Sequence, residues 1–281
     1  MTKLTKIPLY TTALVVFLTS FISSQTHADL MISPTRVFLG DGARAFNVYL
    51  INTGKEVRSY RLEWKQMAAL QQGGYRSLTE AEKNQFSSIE RFVRISPKQV
   101  TLPPGGRQTV KLLVRKPQGL EPGEYRSHLS FVALPASNGS KENKISSISL
   151  NVLMSYTMPV VYRVGSVVVN PEITDISLVH KKETGITNIK VDLFHDDLFS
   201  THGRLVANWT PINGSTRQVG LLNGYNFYPE VKHATTQFPW KDFKLEPGTL
   251  EVRYEGQAEF SGLLLGQKTL TITQQMINSI R

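Results

Sequence analysis

Ile148-Ser149-Leu150-Asn151-Val152-Leu153-Met154-Ser155-Tyr156-Thr157-Met158-Pro159-Val160 is the stretch whose reading decides the fold. Every even position is apolar, and the odd positions are mostly small or polar. A strand sends alternate side chains to opposite faces, so the segment has one apolar side and one wet side. In a chain that is 40% apolar, seven such hits in succession arise by chance with a frequency of roughly 0.002 per starting position, which marks a genuine period of two. The run also exceeds the usual strand length of about 5–6 residues. A strand this long either outgrew its own sheet or is offered to another chain.

The same period recurs on both sides. Ala45 to Asn52 sets Phe46, Val48 and Leu50 against Ala45, Asn47 and Tyr49, and stops at Asn52-Thr53-Gly54. Ser59 to Gln66 carries Tyr60, Leu62 and Trp64 on one face, and Gln108 to Arg115 carries Val110, Leu112 and Val114. Leu30 to Leu39 (broken by Pro34), Phe92 to Ser96, Gln99 to Leu102 and Tyr125 to Leu134 add further short strands. The turn signals between them are Pro103-Pro104-Gly105-Gly106 and Glu121-Pro122-Gly123. Helical period is confined to Ser77 to Phe86, where Thr79 and Glu82 have capping-box spacing. Many short strands joined by turns predict an all-β chain whose first domain, 29–165, is an immunoglobulin-like sandwich. Residues 166–281 predict a second, smaller β-sandwich, with strands at Ser166 to Asn170, Ile173 to Val179, Thr187 to Asp192, Gly203 to Trp209, Arg217 to Leu222, Gly248 to Tyr254 and Gly262 to Thr273. Glu246-Pro247-Gly248 echoes the earlier Glu-Pro-Gly.

Residues 1–28 have the pattern of a cleaved signal peptide. Lys3 and Lys6 precede an apolar run from Leu9 to Ile22, and Thr26-His27-Ala28 supplies small residues for cleavage. No later run is apolar enough for stable membrane insertion. The chain has no cysteine, so export brings no disulfides and its domains rest on packed cores. The formal charge is +10, but the basic residues are scattered and are not interleaved with aromatics, which argues against nucleic acid.

A search for chemistry finds no catalytic constellation, no phosphate loop and no cofactor motif. Asp192, His195, Asp196, Asp197 and His202 are metal-capable types without zinc spacing, and they read as a polar turn. Arg36, in Pro34-Thr35-Arg36-Val37-Phe38, and Arg126, in Gly123-Glu124-Tyr125-Arg126-Ser127-His128-Leu129-Ser130-Phe131, are forked donors suited to a carboxylate. Spacing alone favours the plainer reading, a wet strand face or a local acid such as Glu124.

Thr35-Arg36, Arg94-Ile95-Ser96-Pro97, Leu102-Pro103-Pro104-Gly105, the run from Gly123 to Phe131, and the long alternating strand ending in Tyr162-Arg163 occur in that order. Together they resemble the periplasmic chaperones of chaperone–usher pilus assembly, and the Glu-Tyr-Arg-Ser-His-Leu run is similar to the archaic branch of that family. The resemblance covers 29–165 by motif and the remainder by domain order. It implies two immunoglobulin-like domains in an angled pair, a periplasmic location, no cofactor, and pilus subunits and an outer-membrane usher as partners. It further implies that the strand at 147–160 completes an unfinished pilin sandwich, with Ile148, Leu150, Val152, Met154, Tyr156 and Met158 as its apolar knobs. Burying four or five of them at ~1.5–3 kcal/mol each gives a gross gain of about 6–15 kcal/mol before ordering costs. An exposed edge of this kind is an aggregation hazard, so the free chain is expected to cover it by a loop or by self-association.

In the better-known branch an arginine on the first strand and a lysine on the last hold the client's terminal carboxylate. Arg36 matches the first, but Pro159 stands at the lysine position. The anchor is then expected to shift to Arg126, with Arg36 in support. Two other readings remain open. One is a secreted pilus subunit, which should lack a strand of its own. The other is a carbohydrate-binding sandwich, for which Tyr225, Phe227, Tyr228, Phe238 and Trp240 are the candidate aromatics.

Overall fold

A computed structural model describes residues 29–135, 153–275 and 277. β1 (Leu30–Ser33), β3 (Ala45–Asn52), β7 (Val93–Ser96) and β9 (Arg107–Val114) form one sheet in the order β1–β3–β9–β7. Alternation fixes its two faces. Val48, Leu50, Val110 and Leu112 are completely buried, whereas Tyr49 and Leu113 on the same strands are exposed. An antiparallel sheet with one solvated face produces this pattern. The facing sheet takes β2 (Val37–Leu39), β4 (Arg58–Lys65), β8 (Gln99–Leu102), β10 (Gly123–Leu134) and β11 (Tyr156–Val164) in the order β2–β11–β10–β4–β8. One core, from Leu30 to Val164, fills the space between the sheets.

Two strands cross from one sheet to the other, each at a cis X-Pro bond: Ser33–Pro34 between β1 and β2, and Ser96–Pro97 between β7 and β8. The Pro103–Gly106 turn is held by Asn52, which is fully buried. Its side-chain amide donates to the carbonyls of Leu102 (2.8 Å) and Glu56 (2.7 Å), and its own carbonyl accepts from the Gly105 N–H at 2.9 Å. Gly105 has φ of 70°, a conformation that strains any residue with a Cβ.

Between β4 and β7 the chain makes a hairpin, β5 (Met67–Ala69) with β6 (Tyr75–Ser77), and a single helical turn, α1 (Glu80–Lys83). The capping box of Thr79 and Glu82 is formed. The helix expected over 77–86 shrinks to that one turn because none of Glu80 to Lys83 is buried, so little packing offsets the cost of extending it.

The second sandwich opposes β12 (Glu172–Lys181), β13 (Ile186–Phe194) and β16 (His233–Pro239), in the order β12–β13–β16, to a sheet of β14 (Thr201–Pro211), β15 (Arg217–Phe227), β17 (Gly248–Gly256) and β18 (Leu264–Ile272), in the order β15–β14–β17–β18. Its separate core packs Trp209 against Trp240 at 5.0 Å between ring centroids. The two Glu-Pro-Gly turns lead straight into β10 and β17. Residues 166–170, expected as a strand, are irregular and leave Val168 64% exposed. β16 was not expected, because only Ala234 and Phe238 mark its inner face.

Leu112→Ala should destabilise the fold by about 2–5 kcal/mol through the cavity it leaves. The same change at the adjacent, outward-facing Leu113 should cost no more than about 0.5 kcal/mol. Urea unfolding of the two variants measures the contrast.

Candidate functional site at an open strand edge and a charged cleft

β11 pairs antiparallel with β10 along its whole length, from Tyr156–Phe131 to Val164–Gly123. On its other flank β2 runs parallel to it only at Val160, Val161 and Tyr162. Among the described residues, Tyr156 to Pro159 therefore have a strand neighbour on one side only. Met158, Val160 and Tyr162 point into the chain's own core, Tyr156 packs at its margin, and Met154 just before β11 is 61% exposed. Ile148, Leu150 and Val152 lie outside the described residues.

The face expected to be wet is exposed at Ser155 and Thr157 and becomes interior from Pro159 onward. Pro159, Val161 and Arg163 are buried, and so are Arg126, His128 and Ser130 on the adjoining face of β10. The register sets Glu124 beside Arg163, Arg126 beside Val161, and His128 beside Pro159. Side chains of the β5–β6 hairpin and the second sandwich meet this row.

Arg163 is the more enclosed of the two arginines in this row. Its Nε donates to Glu124 at 2.9 Å, and its Nη2 donates to the Ser200 carbonyl at 2.6 Å and to the Ser200 hydroxyl at 3.1 Å. Its Nη1 lies 3.4 Å from Glu259, and its guanidinium sits over the rings of Phe38 (4.8 Å) and Phe260 (5.1 Å). The Ser200 N–H and hydroxyl both donate to the same Glu124 oxygen, at 2.8 and 2.7 Å. Arg36 donates to Glu259 at 2.7 Å and keeps Nε and Nη2 buried without a hydrogen-bond partner among the described residues.

Arg126 holds Glu230 with both terminal nitrogens, donates to the Met67 carbonyl at 3.3 Å, and stacks 3.8 Å above the ring of Tyr228. The Glu230 carboxylate also accepts from the Ala69 N–H at 3.0 Å, and Tyr75 and Tyr228 share a hydrogen bond of 3.1 Å between their hydroxyls. The hairpin thus joins the second sandwich at the place where Arg126 does. His128 sits edge-on to Tyr75 at 4.8 Å, with neither ring nitrogen hydrogen-bonded among the described residues. Burial, and then the Arg126 charge, push its pKa down to about 3.

The structure therefore brings Arg36 and Arg126 to one cleft, each paired with an acid of the second sandwich. Sequence reasoning missed those acids, Glu230 and Glu259, along with Ser200 and Tyr228, because no local spacing ties them to β2, β10 or β11. Of the five aromatics considered for carbohydrate, Phe227, Tyr228, Phe238 and Trp240 are at least 96% buried. In the polar turn, Asp196 pairs with Lys232 and the ring of His195 bonds the Tyr228 carbonyl. Among the described residues no group of three His, Cys, Asp or Glu is arranged to hold a metal ion.

No family model matches the sequence, and no curated protein matches it. Solved structures do. The CupB2 chaperone of Pseudomonas aeruginosa aligns over 86% of this chain and 98% of its own, with 11% identity and a TM-score of 0.43. The SafB chaperone complex with the SafA pilin of Salmonella enterica aligns over 89% and 99%, with 10% identity and a TM-score of 0.43. The CsuC–CsuE chaperone–tip adhesion subunit complex, from the archaic chaperone–usher Csu pili of Acinetobacter baumannii, aligns over 88% and 99%, with 15% identity and a TM-score of 0.40. Scores at this level assign no function, which has to come from the edge and the cleft.

Two outcomes follow from the cleft. Arg163→Ala leaves Glu124 buried without its cation and should cost about 3–5 kcal/mol in urea unfolding. His128 has a folded pKa below its unfolded value, so its contribution is complete above about pH 6.5 and is lost as pH falls toward about 3. Between pH 7 and pH 5 that loss amounts to about 2 kcal/mol. His128→Phe should lose correspondingly less stability over the same interval, and comparing denaturation midpoints at the two pH values cancels the other titrating groups.

Proposed function

We propose that this chain is an exported chaperone of chaperone–usher pilus assembly, acting in the periplasm after removal of residues 1–28. It binds pilus subunits through a lent strand and hands them to an outer-membrane usher. The reading is carried by the open flank of β11, where a strand that is regular along one side has, among the described residues, no strand neighbour on the other from Tyr156 to Pro159. An edge of this kind offers main-chain hydrogen bonds to a visiting strand, and alternate side chains preceding it offer apolar knobs. The alternation from Ile148 to Met158 supplies such knobs in sequence, and Met154 stands exposed where the described part begins.

The division of labour is that of a binding protein and not of a catalyst. The domains are assigned as 29–165, which carries the edge, and 166–281, which supplies the acids of the cleft. A client threading along β11 toward Val160 arrives at the cleft arginines, where a chain-terminal carboxylate finds charge-assisted donors in Arg126 and Arg36.

The test is periplasmic co-expression with a pilus subunit as candidate client, followed by purification on a tag carried by the chaperone. Leu150→Asp and Met154→Asp, on the apolar side of the alternation, should each abolish recovery of the client and leave the chaperone's thermal midpoint unchanged. Asn151→Asp, on the other side, should retain the client. Equal recovery with all three variants would show that the alternating face is not what the client reads.

A further inference from the structure

Three acids face the cleft arginines, and they are not equivalent. Glu124 is 3% exposed, and one of its oxygens accepts from Arg163 and twice from Ser200. Glu259 is 12% exposed and shared by Arg36 and Arg163. Glu230 is 20% exposed, serves one arginine, and sits on the connection between β15 and β16. Among the described residues its carboxylate is held by Arg126 and the Ala69 N–H. It also borders a cavity of about 520 Å³, whose wall includes Phe86, Tyr125, Leu198 and Pro229, with Arg126 beside Glu230. That size lies within the range of about 300–1,000 Å³ usual for ligand sites. Leu198 is 70% exposed, so the mouth carries apolar surface that faces water.

A carboxylate held by both terminal nitrogens of an arginine, beside a cavity with aromatic and aliphatic walls, has the chemistry of a site for the last residue of a polypeptide. The carboxylate meets the guanidinium fork, and the terminal side chain fills the cavity. In this chain the fork is already filled from within. We propose that Glu230 is an internal occupant of a C-terminal carboxylate site, and that a client's terminal carboxylate engages Arg126 by displacing it.

This rests on the chaperone reading and adds to it how the site is kept filled in its absence. Arg126 is buried over Tyr228, and a buried guanidinium without an anion is strongly unfavourable. The pair therefore exchanges one carboxylate for another and does not open to an empty state. Exchange also frees Glu230 from the Ala69 N–H, so loading of the site is felt by the β5–β6 hairpin.

The full mature chain is titrated with N-acetyl-Gly-Gly-Phe as the free acid and as the C-terminal amide, following the Arg126 side-chain Nε–H resonance by NMR. Glu230→Gln keeps shape and removes the competing charge. It should bind the acid at least ~10-fold more tightly than the wild type, with the amide bound by neither, and Arg126→Gln should abolish binding. Glu230→Asp, which draws the carboxylate back by one methylene, should fall between and serves if the glutamine variant does not fold. Equal affinity of the acid for wild type and Glu230→Gln, or equal binding of acid and amide, or no acid binding by Glu230→Gln, would overturn the exchange and leave Glu230 a structural pin. Acid-selective binding that is strengthened by Glu230→Gln, in a chain whose edge variants still recover the client, would instead overturn the strand-lending reading and keep the carboxylate site.

Discussion

The joint between the two sandwiches depends on one buried cation. Arg163 lies on β11 with its side chain 2% exposed, and a guanidinium taken that far from water has to be met by acceptors and anions. One comes from its own sandwich, Glu124 on the neighbouring strand. The others, the Ser200 carbonyl and the Glu259 carboxylate, come from the second. Hydrophobic burial alone could join two sandwiches in many registers, because it has no direction. Forked donors meeting fixed acceptors leave few. The two apolar cores stay separate on either side, and β11 serves both at once: its even residues hold the first core together, while its odd residues carry Arg163 into the joint.

How far the sequence disclosed this architecture depends on whether a partner lies nearby in the chain. β3 and β9 were legible because a strand between an apolar core and solvent records its own environment residue by residue. The Glu-Pro-Gly turns were legible for the same local reason. The segment 166–170 misled because Val167, Val168 and Val169 have strand-forming side chains but no neighbouring strand to complete a ladder. β16 was hidden because Thr236 occupies the inner-face position between Ala234 and Phe238 where a stronger pattern would place an apolar residue, and its place is secured by β13. The hairpin β5–β6 was hidden more deeply. Its three-residue strands carry no period, and their stability comes from contacts across more than 150 residues, Tyr75 with Tyr228 and Ala69 with Glu230.

The cleft followed the same rule. Arg36 and Arg126 stood out as forked donors, and the carboxylates that face them could not be read, since Glu230 and Glu259 lie 104 and 223 residues away. The expectation that odd positions of the long strand are wet held at Ser155 and Thr157 and failed from Pro159 onward for a related reason. A face that looks polar in one strand becomes interior once a second sandwich arrives with matching charges. Pro159 belongs to this interior. It has no N–H to give and sits beside His128, whose ring nitrogens are likewise unpaired among the described residues, so the side chains of this pair are held by shape while the strand ladder on either side supplies the hydrogen bonds.

The charges of the cleft also decide over what distance it acts. Arg36, Arg126 and Arg163 face Glu124, Glu230 and Glu259, so the cluster sums to zero, although the whole chain carries a formal charge of +10. Attraction of an acidic partner must then originate on the outer surface, where it acts at long range and is weakened by salt within about 8–10 Å under ordinary ionic conditions. The cleft contributes at contact only. Its arginines are largely shielded from solvent, so ions screen them little, and recognition there turns on whether an arriving group matches the geometry of the carboxylates already present. On the proposed reading, steering and selection are thereby separated in space: the scattered surface lysines and arginines would set how often a partner arrives, and the neutral, enclosed cluster behind β11 would set which chain ends remain.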